Sequence, residues 1–409
     1  MAATKAKWTF MIYLAGDNNL ASAGETDLGE MRTVGSSKDV NLIAQFDNAR
    51  SGGSKRFHLQ KGGVGETVQD LGPTDSGDPK VLLDFVDWAV DNFPAERYAL
   101  VLWNHGGGWV PSEMDRIARE VGAPHYDPRE AVQRSATPLA RTFFRTTLEK
   151  IFTLPNMTQR AICSDDGSGH SLDTIELGNV LAQVKAKLKK PLDLLGMDAC
   201  LMSNVEVAYQ ARSYVDYIAA SEESEPNQGW PYDTVLRKLV DNPDISTADL
   251  AKHIVQAYIK YYKDAGSGED VTQAALDPSK VGTLASALDS LAAALVKEMP
   301  GAADAVWNAL RRSLYFYDKT LWDISSFSEE LSSDGDSSIK KAVNAVSDAL
   351  KPSDTGFVVA ESHSKGRLEK CRGVTVYVPA LCDISPYYSD LDFAKEHDWL
   401  KMLEAYKSA

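Results

Sequence analysis

The chain has 409 residues, 44% hydrophobic and 25% charged, which excludes disordered, collagenous and coiled-coil classes. Its 43 basic and 58 acidic residues leave a net charge of −15. That balance argues against a nucleic-acid or anionic-membrane binder, either of which needs a basic footprint. The four cysteines (Cys163, Cys200, Cys371, Cys382) form no CxxC pair, so a zinc site of the usual spacing and a disulfide scaffold are both excluded. Cys371 and Cys382 could pair across a hairpin, but buried thiols are the favoured reading. The length predicts two or three domain-sized units, because single cores stop growing near ~250–300 residues.

The opening MAATKAKWTFMIYLAG places basic residues before an apolar run, as a signal peptide does. The run is short, carries β-branched and aromatic residues, and ends in Gly16-Asp17-Asn18-Asn19 rather than a cleavage site. It is read as a first strand, Lys7–Ala15, with no signal peptide in this chain. Nor does any stretch approach the ~18 apolar residues of a membrane span. Further apolar runs follow at Asn41–Asp47, Tyr98–Trp103, Leu192–Met197 and Val215–Ala220. Helical periodicity lies between them: Val81, Phe85 and Trp88 within Lys80–Asn92, then Leu172–Leu188, then Val205, Ala208 and Tyr209. Short continuous apolar runs separated by helices predict a doubly wound α/β layer around a mostly parallel sheet.

Residues 1–235 are therefore expected to form one α/β domain. Residues 236–409 read as a mainly helical subdomain, with helices at Ile245–Tyr262, Pro278–Lys297, Ala302–Tyr317 and Ile339–Leu350. Two β-rich runs within it, Gly356–Ala360 and Gly373–Val378, predict a hairpin over about 356–379. The segment 111–160 fits neither pattern. From Arg116 to Arg160 it holds eight basic and four acidic residues, a +4 island in an acidic protein.

In a parallel α/β sheet, function collects at the carboxyl ends of strands. The polar and glycine-rich residues stand there: Gly16–Asn19, Asn104-His105-Gly106-Gly107-Gly108, Asp198-Ala199-Cys200 and Ser221-Glu222-Glu223. His105 is placed to act as a general base, and Gly106 to present its N–H to an oxyanion. A turn-capping histidine is the structural alternative. Cys200 sits just before a helix expected to begin near Met202, whose N-terminus would favour a thiolate. An inert buried cysteine is the alternative there. HGGG also suits a serine esterase, but no serine has glycine at both −2 and +2, so the G-x-S-x-G elbow is missing.

The strings YLAGDNNL, VLWNHGGGW, GMDACLMSNVEVA and ASEESEPNQGWPYD resemble the clostripain family of cysteine peptidases, in the caspase–gingipain–legumain group. ICSDDGSGHSLDTIEL and GVTVYVP resemble further family segments, so the likeness runs from residue 8 to about 380. The resemblance implies a caspase-like three-layer α/β/α fold and an endopeptidase acting on protein or peptide substrates after Arg or Lys. It implies a dyad of His105 and Cys200, oxyanion donors at Gly106 and the Cys200 amide, and Asp198 as the acid of the S1 pocket. Glu223 is the next candidate for that pocket, beside Glu222 and Glu225.

Pro111–Arg160 departs from the family core as an apparent insertion, and the resemblance implies self-cleavage within it. His170 stands where an acid is common. Asp165, Asp166 and Asp173 are weak calcium candidates in an order that is not an EF-hand; no cofactor is required by the sequence. The remaining expectations are a monomer, no nucleic-acid partner, and export implied by family alone. A catalytically silent homologue serving as a binding or structural protein is the competing function.

Overall fold

The computed structural model describes residues 5–18, 20–48, 50–104, 106, 172–316, 319–334, 337–385 and 387–409. His105, Cys163, Asp165, Asp166, His170 and the basic segment lie outside the described residues. The chain divides into two compact units: 1–199 with 227–245, and 200–226 with 246–409. The division differs from the expected break near 235, because the chain leaves the first unit after Ala199 and returns to it for nineteen residues.

The first unit is built on β1 (Ala6–Gly16), β2 (Val40–Asn48), β3 (Gly53–His58), β4 (Thr67–Gly72), β5 (Ala95–Trp103) and β6 (Leu192–Asp198). Their spatial order is β6-β5-β1-β2-β3-β4. Strands β6, β5, β1 and β2 are parallel, while β3 and β4 extend the edge antiparallel. Burial on both faces explains the unbroken apolar runs: Phe10, Met11 and Ile12 of β1 and Leu100, Val101 and Leu102 of β5 are all fully buried. Helix Pro79–Asn92 starts where Asp78 accepts a hydrogen bond from the Lys80 amide and Pro79 takes the first turn. It buries Leu82, Phe85, Val86 and Ala89, one stripe at helical spacing. Helix Thr174–Leu188 begins with a capping box, in which Asp173 accepts from the Glu176 amide at 2.7 Å.

The second unit contains β7 (Val215–Ala220), β8 (Thr272–Leu276), β9 (Leu321–Asp323), β10 (Val358–His363) and β11 (Thr375–Tyr377), with helices at Thr247–Ala265, Val281–Glu298, Ala303–Arg312, Ile324–Asp334, Ser337–Leu350 and Trp399–Ser408. The expected hairpin is corrected here. β10 pairs antiparallel with β8, and β11 pairs antiparallel with β9 in a separate two-stranded sheet. The connection between β10 and β11 contains a 3-10 turn at Arg367–Lys370, too long a link for a tight hairpin, so each strand finds a distant partner. The expectation that no stretch approaches a membrane span also needs an exception. Pro278–Glu298 is long and apolar enough by length and composition. Its Leu284, Leu288, Leu291 and Leu295 are fully buried in the second unit, the pattern of a core helix. Among the described residues no disulfide forms: Cys371 is buried and Cys382 exposed.

Candidate active site

Residues at strand ends of the first unit are locked to one another. The Asn18 side chain donates to the Ala15 carbonyl at 3.0 Å and to Asn104 Oδ1 at 3.1 Å. Asn104 donates back to the Ala15 carbonyl at 2.7 Å, and its amide reaches the Asp198 carbonyl at 3.3 Å. The ends of β1, β5 and β6 are thereby fixed immediately before His105. Gly106 is buried. The sequence marks Asn18 as part of a turn cluster and Asn104 as a strand-end polar residue, and nothing in it reveals the clasp between them.

Asp198, the last residue of β6, is 4% exposed. Its Oδ2 accepts from the Tyr232 hydroxyl at 2.8 Å and from the Trp230 amide at 3.2 Å. Gly229 has φ +55°, and a Cβ there would stand 2.9 Å from the same oxygen, so the chain can approach the carboxylate this closely only as glycine. Two further acids belong to this neighbourhood. Asp27 accepts from the Trp103 indole at 2.7 Å, and Glu30 accepts from the Tyr232 amide at 3.0 Å. Burial first, then the charges of Asp198 and Glu30, push the Asp27 carboxyl up to about 9. Glu30 is raised by burial and by Asp233. Neither Asp27 nor Glu30 has an ion-pair partner among the described residues. None of Asp27, Glu30, Trp230 and Tyr232 was singled out from sequence, because the chain returns to Asp198 only 34 positions later.

This acid cluster makes stability pH-dependent. Asp27 ordinarily titrates near 3.8 but holds its proton to about 9 in the fold, so the folded state binds more protons across that window. The contribution is full below the ordinary value and is lost as pH rises through the folded one. Asp27→Asn should therefore flatten the fall of Tm between about pH 5 and 9 and exceed the wild type at the alkaline end. The gap should widen steadily toward the alkaline end, at about 2–4 °C for each ~1 kcal/mol in a domain of this size. Parallel Tm–pH curves by calorimetry would refute the assignment.

Cys200 follows two residues after Asp198. The expected helix start near Met202 is corrected: the helix runs Val205–Ala211, with Asn204 accepting from the Val207 amide at 2.9 Å as its cap. Leu201, directly after the cysteine, adopts φ +64°, a left-handed conformation that breaks the chain direction there. Cys200 thus lies outside the first helical turn, within which the helix field acts. Among the described residues the Glu225 amide donates to its sulfur at 3.2 Å.

The three glutamates after β7 have separate employments. Glu222 is fully buried, with its Oε2 accepting from the Gly373 amide at 2.8 Å and from the Cys371 thiol. Glu223 forms an ion pair with Arg367, which also holds Asp270 at 2.9 Å. Glu225 accepts from the Gln273 side chain at 3.4 Å.

Among the described residues one group could hold a metal ion by proximity: Glu222, Asp323 and Cys371, whose ligand atoms lie within 4.8 Å of one another. Asp323 already accepts from the Ser326 amide at 2.6 Å and the Arg372 amide at 2.9 Å. Three of the four carboxylate oxygens are thus taken by amides, an arrangement that balances charge by hydrogen bonds. Asp173, a calcium candidate, is employed as a helix cap.

A sequence profile of the Clostripain family matches residues 12–133 and 153–406. Clostripain of Hathewaya histolytica is 27% identical over 269 residues, which cover 57% of this chain and 42% of that protein. The chain thus spans about two-fifths of the length of this curated relative. Among solved structures, an inactive protease zymogen from Parabacteroides distasonis superposes with a TM-score of 0.68 at 20% identity, over 97% of this chain and 99% of that one. A secreted cysteine protease from Bacteroides thetaiotaomicron, bound to an irreversible peptide inhibitor, gives 0.66 at 20% identity over 97% and 100%. These likenesses support the α/β fold with a mostly parallel sheet, and the profile match carries the assignment. The chain belongs to the clostripain family of cysteine peptidases.

Proposed function

We propose that the chain is a cysteine endopeptidase that cleaves after Arg or Lys. The observation that carries this reading is the order of residues along the chain after β6: a buried carboxylate at Asp198, then a partly exposed thiol at Cys200, then the left-handed Leu201. Cys200 attacks the scissile carbonyl after His105 takes or orients its proton, and the bond to the leaving amine breaks to give an acyl-enzyme. His105 returns the proton to the amine, and water then hydrolyses the thioester. The amides of Gly106 and Cys200 receive the oxyanion. Asp198 reads the substrate cation by charge-assisted hydrogen bonds, bidentate for arginine. Glu223 is already ion-paired with Arg367, which makes it the weaker candidate for that role. The chemistry calls for no cofactor.

The basic segment supplies a second part of the proposal. Arg116, Arg119, Arg129, Arg134, Arg141, Arg145 and Lys150 lie between the histidine and the cysteine of an enzyme that selects such residues. Self-cleavage within Arg116–Lys150 is expected, giving two chains that stay associated because β5 and β6, on either side, pair in one sheet. Mass spectrometry after incubation should find a new C-terminus at an Arg or Lys in that window for the wild type, and an intact Cys200→Ala chain. A wild type that remains whole and fully active would remove self-processing from the scheme.

A further inference from the structure

The second unit contains a buried acid that the proposed chemistry does not use, and its connections lead to the nucleophile. Two backbone bonds lay Ser221–Glu223 beside the chain that follows Cys200: the Leu201 amide donates to the Glu223 carbonyl at 3.3 Å, and the Ser203 amide to the Ser221 carbonyl at 2.8 Å. Two residues further on, the Glu225 amide donates to Cys200 Sγ at 3.2 Å. The position of that amide therefore depends on what holds the strand-end segment from its other side. Thr272 does so in part, its hydroxyl accepting from the Glu222 and Glu223 amides at 2.9 and 3.0 Å. The Glu222 side chain reaches further, to Asp323 at the end of β9 and to Cys371 and Gly373 leading into β11.

We infer that Glu222 is a positioning residue for Cys200, a buried acid whose reach to Gly373 and Asp323 sets where the Glu225 amide meets the nucleophile's sulfur. The inference rests on the reading of Cys200 as the nucleophile. A fully buried carboxyl is costly unless each oxygen finds a partner. Glu222 Oε2 has the Gly373 amide, whereas Glu222 Oε1 meets no donor among the described residues. A proton on the Glu222 carboxyl, shared with Asp323, completes the set. Burial and the Asp323 charge both hold that proton on Glu222, which titrates well above the usual carboxylate range. The titratable groups facing it are Asp323 and the Cys371 thiol, with the Glu223–Arg367 pair on its own segment. The arrangement acts as a neutral acid bolted between two segments.

Two substitutions separate reach from fold. Glu222→Gln keeps length, with its amide nitrogen donating to Asp323 where the proton did and its oxygen accepting from Gly373. Glu222→Asp keeps the chemistry and falls one methylene short. The measurements are kcat and KM on an arginyl peptide amide, Tm, and the iodoacetamide alkylation rate of Cys200 followed by peptide mass mapping. Glu222→Asp should lose roughly tenfold to a hundredfold in kcat, the scale of an ångström-sized misplacement, with KM held within about threefold. Its Cys200 alkylation rate should shift as well, while Glu222→Gln stays near wild type in both. Wild-type kcat and alkylation in a folded Glu222→Asp would overturn the inference, as would an equal loss in Glu222→Gln. Full activity in Cys200→Ala would instead overturn the nucleophile assignment beneath it, and the alkylation rate reports on Glu222 independently of substrate choice.

Discussion

Cys200→Ala is expected to abolish hydrolysis of arginyl peptide amides while leaving Tm and the far-UV spectrum unchanged. The sulfur is partly exposed and meets the Glu225 amide, and alanine keeps the Cβ and the backbone of the turn, so truncation removes a single atom. The fold around it is set by the Leu201 turn and the Asn204 cap, neither of which needs the thiol. His105→Ala should lower kcat by roughly 10³- to 10⁶-fold. The double variant should be no worse than Cys200→Ala, because members of one catalytic unit are not additive. Cys163→Ala should keep wild-type rates. The competing functions give different outcomes in the same assay. A silent homologue turns over no substrate, and an esterase using HGGG hydrolyses esters in the presence of a thiol alkylator. Peptidase activity that survived Cys200→Ala and vanished in Cys163→Ala would move the nucleophile.

Much of the first unit was legible because a strand buried on both faces shows as an unbroken apolar run. Lys7–Ala15, Asn41–Asp47, Tyr98–Trp103 and Leu192–Met197 each lie within the observed β1, β2, β5 and β6. Strands β3 (GSKRFH) and β4 (TVQDLG) contain no apolar run, and their place is set by pairing with β2 and with each other. The five-residue β8 (TQAAL) is too short and too rich in alanine to stand out. The hairpin expectation failed for a related reason. β10 and β11 look like neighbours along the chain, but pairing is decided by which edges are open, at β8 and β9.

The same limit governs the site. Strand-end position marked Asp198 and Cys200, because the carboxyl edge of a parallel sheet is visible as a change from apolar to polar residues. Their partners are set by returns of the chain. Tyr232 reaches Asp198 from 34 positions away, and Cys371 reaches Glu222 from 149. SEESE offers three candidate acids for the S1 pocket, yet its first two glutamates are buried and committed to Cys371, Gly373 and Arg367. Composition cannot reveal that.

Asp198→Asn tests specificity at the level of a single charge. Asparagine matches aspartate in size, and its carbonyl can accept from the Tyr232 hydroxyl and the Trp230 amide, so the local structure and Tm should hold. On the proposed reading, what disappears is the negative charge that meets the substrate's guanidinium. Neutralising one partner of a buried hydrogen-bonded charge pair costs ~2–5 kcal/mol. In kcat/KM for arginyl substrates that is a loss of roughly 30- to 5,000-fold. A matched peptide amide with neutral glutamine in the same place should change far less, so the ratio of the two rates collapses. Burial, the first cause of the raised Asp27 carboxyl, still acts in this variant and opposes its replacing the missing charge. Residual arginyl preference should accordingly be small. Undiminished arginyl cleavage with an unchanged arginine-to-glutamine ratio would remove Asp198 from the S1 pocket and make Glu223, freed from Arg367, the next acid to substitute.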